Sequence, residues 1–387
     1  MELRTNFYRA FIDKINSEYN ANTSIVKNSL HEGMGSYLFL NYYIGKLLHD
    51  DSLVNFSSII FEQSLLNTIQ GQITNLHSFA DGLPGICWML SYYSRLRGDS
   101  FEIDENVDAA IIYAAKHAFR SQNPDLLYGG MGGLFYLSQK SNIISLNELF
   151  NIAKDYIEIC LKDSKGARCK NSILRYQKNK EFDIGYAHGL SGFVSVLATL
   201  TPLNNEEINN IIKLNLKYIE EQFRTGYKSY YPATVIEDRP PTQKEIKDKY
   251  NIRLGWCYGD LAIATMYLTL FVKSNKKEYY EKSISLARAT LVRRERIDTH
   301  INDIFFCHGS SYLTYIYYKF YQYTKDPFFL EASQFWRNDV VANLEQALKG
   351  NDLVSFLNSI SGAIFVLLYI DEGIIHDDFF QAYLLNI

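Results

Sequence analysis

The feature that most constrains this chain is a short glycine-containing segment that occurs seven times within its 387 residues. Each copy has a turn followed by a nearly uncharged apolar run, as in EGMGSYLFLNYY from Glu32 and HGLSGFVSVLATL from His188. In the seven copies, the fourth position of the turn is occupied in order by Ser36, Gly85, Gly133, Gly192, Ala262, Tyr312 and Gly362. Successive copies therefore lie 49, 48, 59, 70, 50 and 50 residues apart. A period of about 50 residues indicates one structural unit repeated along the chain.

A second, amphipathic run follows most of the apolar ones. These runs cover residues 101–118, 146–162, 206–223, 277–293 and 327–348. Their apolar residues recur at helical spacing with charges between them, which predicts helices with one solvated face. No strand pattern alternates with the helices. Each unit is therefore predicted to be a hairpin of two helices, and the fold class is all-α.

Seven such hairpins can form an open solenoid or close into a double-layered α/α barrel. Closure is favoured because the terminal units lack the polar capping face that an open array needs. We predict one domain over residues 1–387, with loop insertions or lids at about 162–182 and 225–250, where the spacing lengthens. Closure also gathers all seven turns at one end, where helix N-termini offer free N–H groups and partial positive charge.

Composition excludes several classes of protein. Hydrophobic residues make up 47% and charged residues 21%, which is enough apolar material for a large core. The net charge of −4 gives no support to nucleic-acid binding. Five cysteines and an N-terminus without a signal pattern indicate a cytoplasmic protein with reduced thiols. Two uncharged stretches, 184–205 and 353–370, are too polar to be membrane spans.

Three residues in the fifth and sixth turns are of metal-ligand type. Cys257 lies in the fifth turn, and Cys307 and His308 lie in the sixth. If neighbouring turns meet, these residues form a Cys₂His set with one open position, which is a catalytic zinc arrangement. The alternative is that both cysteines are ordinary buried residues and that His308 caps a helix.

Other candidates lie in or near the third to fifth turns. His188, in the fourth turn, is a natural proton donor or acceptor because the ordinary pKa of a histidine lies near neutrality. The alternative is that it is an ordinary histidine at the start of a helix. Asp125 precedes the third turn by four residues, and Arg253 precedes Cys257 by four. From the residues alone, an ordinary surface charge is the favoured interpretation of both.

Three motifs in this order identify a family resemblance: Ala-His-Gly at 187–189, Trp-Cys-Tyr-Gly at 256–259 and Cys-His-Gly at 307–309. With the seven turns, they make the whole chain resemble the lanthionine synthetase C-like family, specifically the stand-alone class I lantibiotic cyclases. The resemblance implies an α/α toroid of seven inner and seven outer helices. It also implies one Zn²⁺ per chain. The residues that match the family's zinc ligands are Cys257, Cys307 and His308, and those that match its active-site residues are His188, Arg253, Tyr258 and Asp125.

The resemblance also implies a reaction. Another enzyme dehydrates Ser and Thr of a lantibiotic precursor peptide, and the cyclase adds the peptide's Cys thiols to the resulting dehydroalanine or dehydrobutyrine. We expect His188 to protonate the α-carbon and Arg253 to stabilise the enolate oxygen. Asp125 would either accept the thiol proton or orient His188. Implied partners are the dehydrated peptide, a dehydratase and an export transporter, in a complex at the inner face of the membrane.

Two other functions compete with this one. The first is a non-catalytic, zinc-containing relative that binds thiol or peptide ligands. The second is a glycoside hydrolase on the same scaffold, which needs two carboxylates around the scissile bond. Only Asp125 is well placed for that, with Asp81 and Asp260 as poorer candidates, and the cysteines would stay unexplained. The family's first members also carry a small inserted domain, for which no sufficiently long segment is evident here.

Overall fold

Each of the seven repeated turns starts a helix, and these helices form the inner layer of the fold. The computed structural model describes residues 2–23, 26–73, 75–140, 144–171, 181–237, 239–350, 353–385 and 387. The inner helices are α2 (Met34–Leu48), α4 (Leu83–Arg97), α6 (Gly130–Ser138), α8 (Leu190–Ala198), α11 (Asp260–Ser274), α14 (Ser310–Thr324) and α16 (Ile360–Ile370). Helices α6 and α8 are buried over their full length. This burial explains why the runs carry almost no charge.

Among the described residues, the outer layer also has seven helices, which alternate with the inner ones along the chain. They are α1 (Glu2–Asn22), α3 (Asp51–Ile69), α5 (Glu105–Arg120), α7 (Leu146–Ile159), α9 (Glu206–Glu220), α12 (Lys277–Thr290) and α15 (Pro327–Ala347). Most of them begin after a residue whose side chain accepts a main-chain hydrogen bond, such as Asp50, Asp104 or Ser145. The predicted all-α toroid with seven inner and seven outer helices is confirmed.

The ends of the chain meet to complete the outer layer. Helix α1 precedes the first turn, yet Lys14 donates to the carbonyl of Leu348, just after α15 (2.7 Å). Arg4 pairs with Asp371, directly after α16 (2.7 Å), and Arg337 of α15 pairs with the same carboxylate (2.6 Å). Helix α1 therefore serves as the outer helix of the seventh unit.

Main-chain hydrogen bonds join neighbouring turns into a ring. The donors and acceptors are His31 N to Ala80 O (3.1 Å), Ala80 N to Leu127 O (3.0 Å), Ala187 N to Cys257 O (3.1 Å), Trp256 N to Cys307 O (2.8 Å), Cys307 N to Leu357 O (2.8 Å) and Phe356 N to His31 O (3.0 Å). The last bond links the seventh turn to the first, so the repeat closes on itself rather than forming an open solenoid. In the described part of the chain, the third and fourth turns are the only neighbouring pair that such a bond does not join to each other.

The glycines of the turns are required by close main-chain approach. A Cβ on Gly192 would lie 1.9 Å from the carbonyl oxygen of Tyr186, six residues earlier, and Gly85 and Gly362 are crowded in the same way. Gly259 has a φ of 112°, a backbone conformation that other residues rarely adopt. The repeated glycine thus lets each turn fold back against the start of its helix.

The centre of the toroid is filled by the C-terminal segment. Its 3₁₀-helix, Asp377–Tyr383, carries Phe379, which packs edge-on against Phe39 at 5.3 Å between ring centroids. The carbonyl of Ala382 bonds the His31 ring (2.7 Å), and the carbonyl of Leu384 accepts from Tyr186 (2.9 Å). Since Tyr186 lies in the fourth turn, this segment reaches the turn end of the toroid from inside.

The predicted insertions contain short strands. Strands β1 (Leu161–Asp163) and β2 (Gly166–Arg168) form a hairpin, and β3 (Glu181–Asp183) pairs antiparallel with β4 (Thr234–Ile236). The β3–β4 pair brings the two insertions together, and α10 (Gln243–Lys249) follows. Residues 172–180 of the first insertion and 238 of the second lie outside the described residues. The division into one domain stays a prediction.

Short connecting helices complete the fold. They are the 3₁₀-helix Thr201–Leu203 and α13 (Arg296–Thr299). Among the helices described, none combines the length and apolar character needed to cross a bilayer.

Candidate functional site

The two candidate cysteines meet because the fifth and sixth turns are hydrogen-bonded neighbours. Cys257 and Cys307 each lie two residues before the glycine that precedes an inner helix. The bond from Trp256 N to Cys307 O (2.8 Å) fixes the two turns side by side. Their side chains are within hydrogen-bond contact of each other. The structure therefore brings together two thiols that lie 50 residues apart in the sequence.

The surroundings of the thiol pair favour one thiolate. The hydrogen bond from Cys307 holds the pKa of Cys257 below its ordinary value, against the effect of burial, and the charges of His308, Arg253 and His188 act in the same direction. The same contact and burial raise the pKa of Cys307 well above its ordinary value. The first proton thus leaves the pair easily, from Cys257, and the second leaves with difficulty.

The imidazole of His308 is held by a carboxylate. Its Nδ1 lies 3.2 Å from Oδ2 of Asp303. Burial opposes ionisation of Asp303, but the His308 hydrogen bond and the amide of Phe305 outweigh burial and hold its pKa below the ordinary value. A carboxylate on one nitrogen of a histidine is the usual support for a metal bound by the other nitrogen.

The donor set fits zinc in chemical type. Two thiols in contact, one with a lowered pKa, and an adjacent imidazole with a carboxylate partner are ligands that select zinc over magnesium or calcium. Within the described ranges, however, no three His, Cys, Asp or Glu side chains are already gathered around a common point. The fit to zinc therefore rests on the chemical type of Cys257, Cys307 and His308.

His188 and Asp125 form a tight pair between the fourth and third turns. Nδ1 of His188 lies 2.7 Å from Oδ2 of Asp125. The carboxylate is fully buried, and its Oδ1 accepts from the amides of Leu127 and Tyr128, each at 2.9 Å. Because a carboxylate at neutral pH only accepts, the hydrogen between the two side chains belongs to Nδ1 of His188.

This pairing determines the charge of His188. Burial alone would lower the pKa of His188, but the Asp125 carboxylate outweighs burial and raises the pKa to about 9. The negative charges of Asp183 and Cys257 act in the same direction. His188 is thus an imidazolium at neutral pH and can donate a proton. In the described part of the chain, its Nε2 has no hydrogen-bond partner.

Arg253 and Tyr258 flank the thiol pair. The Arg253 guanidinium lies 5.7 Å from the centroid of the Tyr258 ring, in a cation–π arrangement. Both side chains are half-buried. Among the described residues, Arg253 has no carboxylate in an ion pair. Its charge is therefore available to an anion that develops beside the thiols.

Several residues of the site were not predicted from the sequence. Tyr128 stacks on His188, with 6.3 Å between ring centroids and 14° between planes. Asp183 and Asp303 each lie six residues before the glycine that starts a helix, and their Oδ1 atoms accept from Gly185 and Phe305. This recurring acidic position is visible once the turns are aligned. Asn171, in the first insertion, contacts both Asp125 and His188, and no recurring sequence pattern marks its position.

Comparison with known proteins shows the family and the fold. A family model described as lanthionine synthetase C-like protein matches residues 24–385. The nisin biosynthesis protein NisC of Lactococcus lactis subsp. lactis is 27% identical over 212 residues, which make up 52% of this chain. The matched region spans only 48% of that relative. A solved structure of nisin cyclase matches with a TM-score of 0.75 at 18% identity, over 97% of each chain.

Proposed function

Because this chain belongs to the lanthionine synthetase C-like family, we propose that it is a zinc-dependent peptide cyclase of lantibiotic biosynthesis. Its product would be a lanthionine or methyllanthionine thioether ring. The observation that carries the proposal is the pair of thiols, Cys257 and Cys307, at the same end of the toroid as the His188–Asp125 pair. One group of residues suits thiol activation and the other suits proton delivery.

The substrate is a precursor peptide in which Ser or Thr has already been dehydrated. Cys257, Cys307 and His308 would hold one Zn²⁺, with Asp303 supporting His308. Zinc, when bound, lowers the pKa of a thiol in its open position, so that a peptide Cys can ionise at neutral pH.

The addition balances without any leaving group. The peptide Cys releases its thiol proton to solvent, its sulfur bonds to the β-carbon of dehydroalanine or dehydrobutyrine, and the C=C electron pair moves to the carbonyl as an enolate. Arg253 stabilises the negative charge on the enolate oxygen. His188, protonated at neutral pH, delivers a proton to the α-carbon from Nε2, the nitrogen that Asp125 does not hold. After His188 has donated its own proton, it takes up one from solvent, so that no net proton is gained or lost.

The contacts of Asp125 favour one of its two expected roles. Its Oδ1 accepts two main-chain amides, and its Oδ2 accepts from His188 and Asn171. It is 0% exposed, so a substrate thiol has no access to it. Asp125 therefore orients and charges His188 rather than accepting the thiol proton. The same burial argues against Asp125 as a glycoside hydrolase acid, which must reach the sugar.

The cellular setting follows from the substrate. A dehydratase must act before this enzyme, because the electrophile is a dehydrated residue. We also propose a cytoplasmic location and an export transporter for the modified peptide, with the three proteins assembled at the inner face of the membrane. The family resemblance supports this assembly.

The proposal is tested with a dehydrated, Cys-containing precursor peptide. Cyclisation leaves the peptide mass unchanged but removes free thiols, so mass spectrometry after alkylation counts the rings. Wild type should remove the alkylation sites. The Cys307→Ala variant should not, whereas Cys87→Ala, which removes a buried thiol in α4, should behave as wild type. Peptide binding without thiol loss by wild type would support a non-catalytic relative instead.

A further inference from the structure

The ring of turns is interrupted at the active site. Elsewhere, amides three or four residues before the start of each inner helix donate to the carbonyl of a neighbouring turn. In the third turn, the amide of Leu127, three residues before α6, donates to Oδ1 of Asp125 instead, as does the next amide, that of Tyr128, both at 2.9 Å. No main-chain bond joins the third turn to the fourth in the part of the chain that the structure describes. The Asp125 carboxylate thus takes up an amide that, at the corresponding position of other turns, bonds to a neighbouring turn.

Besides the Asp125–His188 pair, a side chain from outside both turns spans this gap. Nδ2 of Asn171 lies 2.6 Å from Oδ2 of Asp125, in the third turn, and 2.9 Å from the carbonyl oxygen of His188, in the fourth. Asn171 is 2% exposed. A single amide group therefore bonds to both members of the pair that would deliver the proton.

Asn171 is itself held from outside the ring. It lies three residues after β2, and this strand is attached to α9 by Asn215, whose Nδ2 donates to the carbonyl of Ala167 (2.8 Å). Asn215 in turn accepts from the hydroxyl of Tyr156 in α7 (3.2 Å). The position of Asn171 is therefore fixed by the first insertion and the outer helices.

We propose that Asn171 is a positioning residue of the active site, in which its amide replaces the missing link between the third and fourth turns and fixes the Asp125–His188 pair. This role rests on the proposed cyclase function. Without the amide, Asp125 Oδ2 and the His188 carbonyl each lose a buried hydrogen bond, and the main chain of the fourth turn loses this tie to the third. A displacement of His188 by about 1 Å would lower the rate about 100-fold.

Two substitutions distinguish the effect of the hydrogen bonds that Asn171 donates from the effect of its side-chain volume. Asn171→Ala removes both. Asn171→Asp keeps the shape but places a carboxylate against two acceptors, so it repels them when ionised. Two carboxylates this close share a proton with a raised pKa. On acidification, the shared proton restores one hydrogen bond to Asp125.

The expected result is a difference in pH profile. At pH 8.5, both variants should cyclise peptide about 10- to 100-fold more slowly than wild type. Between pH 8.5 and pH 6, the rate of Asn171→Asp relative to wild type should rise about tenfold, while that of Asn171→Ala stays constant. The matched control is Asn215→Ala, which weakens attachment of the same hairpin without touching the site. It should lower the melting temperature but leave the relative rate independent of pH.

A second readout does not depend on cyclase activity. In ¹⁵N-histidine-labelled protein, the hydrogen-bonded Nδ1 proton of His188 should give a downfield resonance in wild type and in Asn215→Ala. It should be lost in Asn171→Ala. If wild type forms no thioether but this resonance behaves as expected, the cyclase proposal fails and the positioning role stands.

Either of two results would overturn the positioning role. One is an Asn171→Asp variant as active as wild type at every pH. The other is an unchanged His188 resonance in folded Asn171→Ala.

Discussion

Removing the negative charge of Asp125 should lower the pKa of His188. The Asp125→Asn substitution keeps the shape of the side chain, and an amide oxygen can still accept from Leu127 and Tyr128. It removes the negative charge that raises the pKa of His188 to about 9. Burial, the largest single effect, is then opposed by the weaker effects of Asp183 and Cys257, and the pKa should fall below 6.5. At pH 7 the protonated fraction would drop from about 99% to less than about a quarter.

The same change has a calculable effect on stability. A rise in the pKa of His188 from 6.5 to about 9 corresponds to a stabilisation of the folded state by about 3 kcal/mol at most. The His188 side chain is 29% exposed, so solvent screening reduces this to about 1–3 kcal/mol. Because the folded-state pKa is raised, this stabilisation is fully present below pH 6.5 and is lost as the pH rises through about 9. Asp125→Asn should therefore be most destabilising at pH 6 and least destabilising near pH 9.5.

Two measurements check this prediction. Urea unfolding of wild type and variant at pH 6 and pH 9.5 gives the two stability differences. An NMR titration of His188, assigned by its absence in His188→Gln, gives its pKa directly. The reasoning is refuted if the His188 pKa is the same in both proteins, or if the variant is equally destabilised at both pH values.

Two further predictions concern the fold. Gly192→Ala should lower the free energy of unfolding by about 1–3 kcal/mol, because its Cβ would lie 1.9 Å from the Tyr186 carbonyl oxygen; urea unfolding measures this, and an unchanged midpoint would contradict the packing role. Phe379→Ala should cost about 3–5 kcal/mol, because the ring is fully buried in the toroid centre. A loss below 1 kcal/mol in the same assay would show that the C-terminal segment does not support the toroid.

The repeat made the toroid predictable from the sequence. The elements that depart from the repeat were not predictable. The spacing of the turns and the apolar runs that follow them specify the inner helices, because each turn must repeat the same close approach. Helix α1 lies before the first turn, so its place as the seventh outer helix depends on contacts such as Arg4 with Asp371. The C-terminal segment carries no repeat signal, and its contacts with His31 and Tyr186 join residues far apart in the chain.

The candidate site was predictable where it belongs to the repeat. Cys257 and Cys307 stand out because they occupy a turn position that holds other residue types elsewhere, and His308 is adjacent to Cys307. Ring closure brings the two thiols together. Asn171 lies in an insertion, outside any periodic pattern, so its contact with Asp125 depends on how the β1–β2 hairpin packs. Sequence spacing has no information about that packing.

The most direct test of the account is the zinc content of the purified protein. Elemental analysis of wild type should give about one zinc per chain. Cys87→Ala should retain it, and Cys307→Ala should lose it. Wild-type protein that contains no zinc and takes up none on reconstitution would contradict the account, because the thiol pair between the fifth and sixth turns would then have no role in activating a peptide thiol.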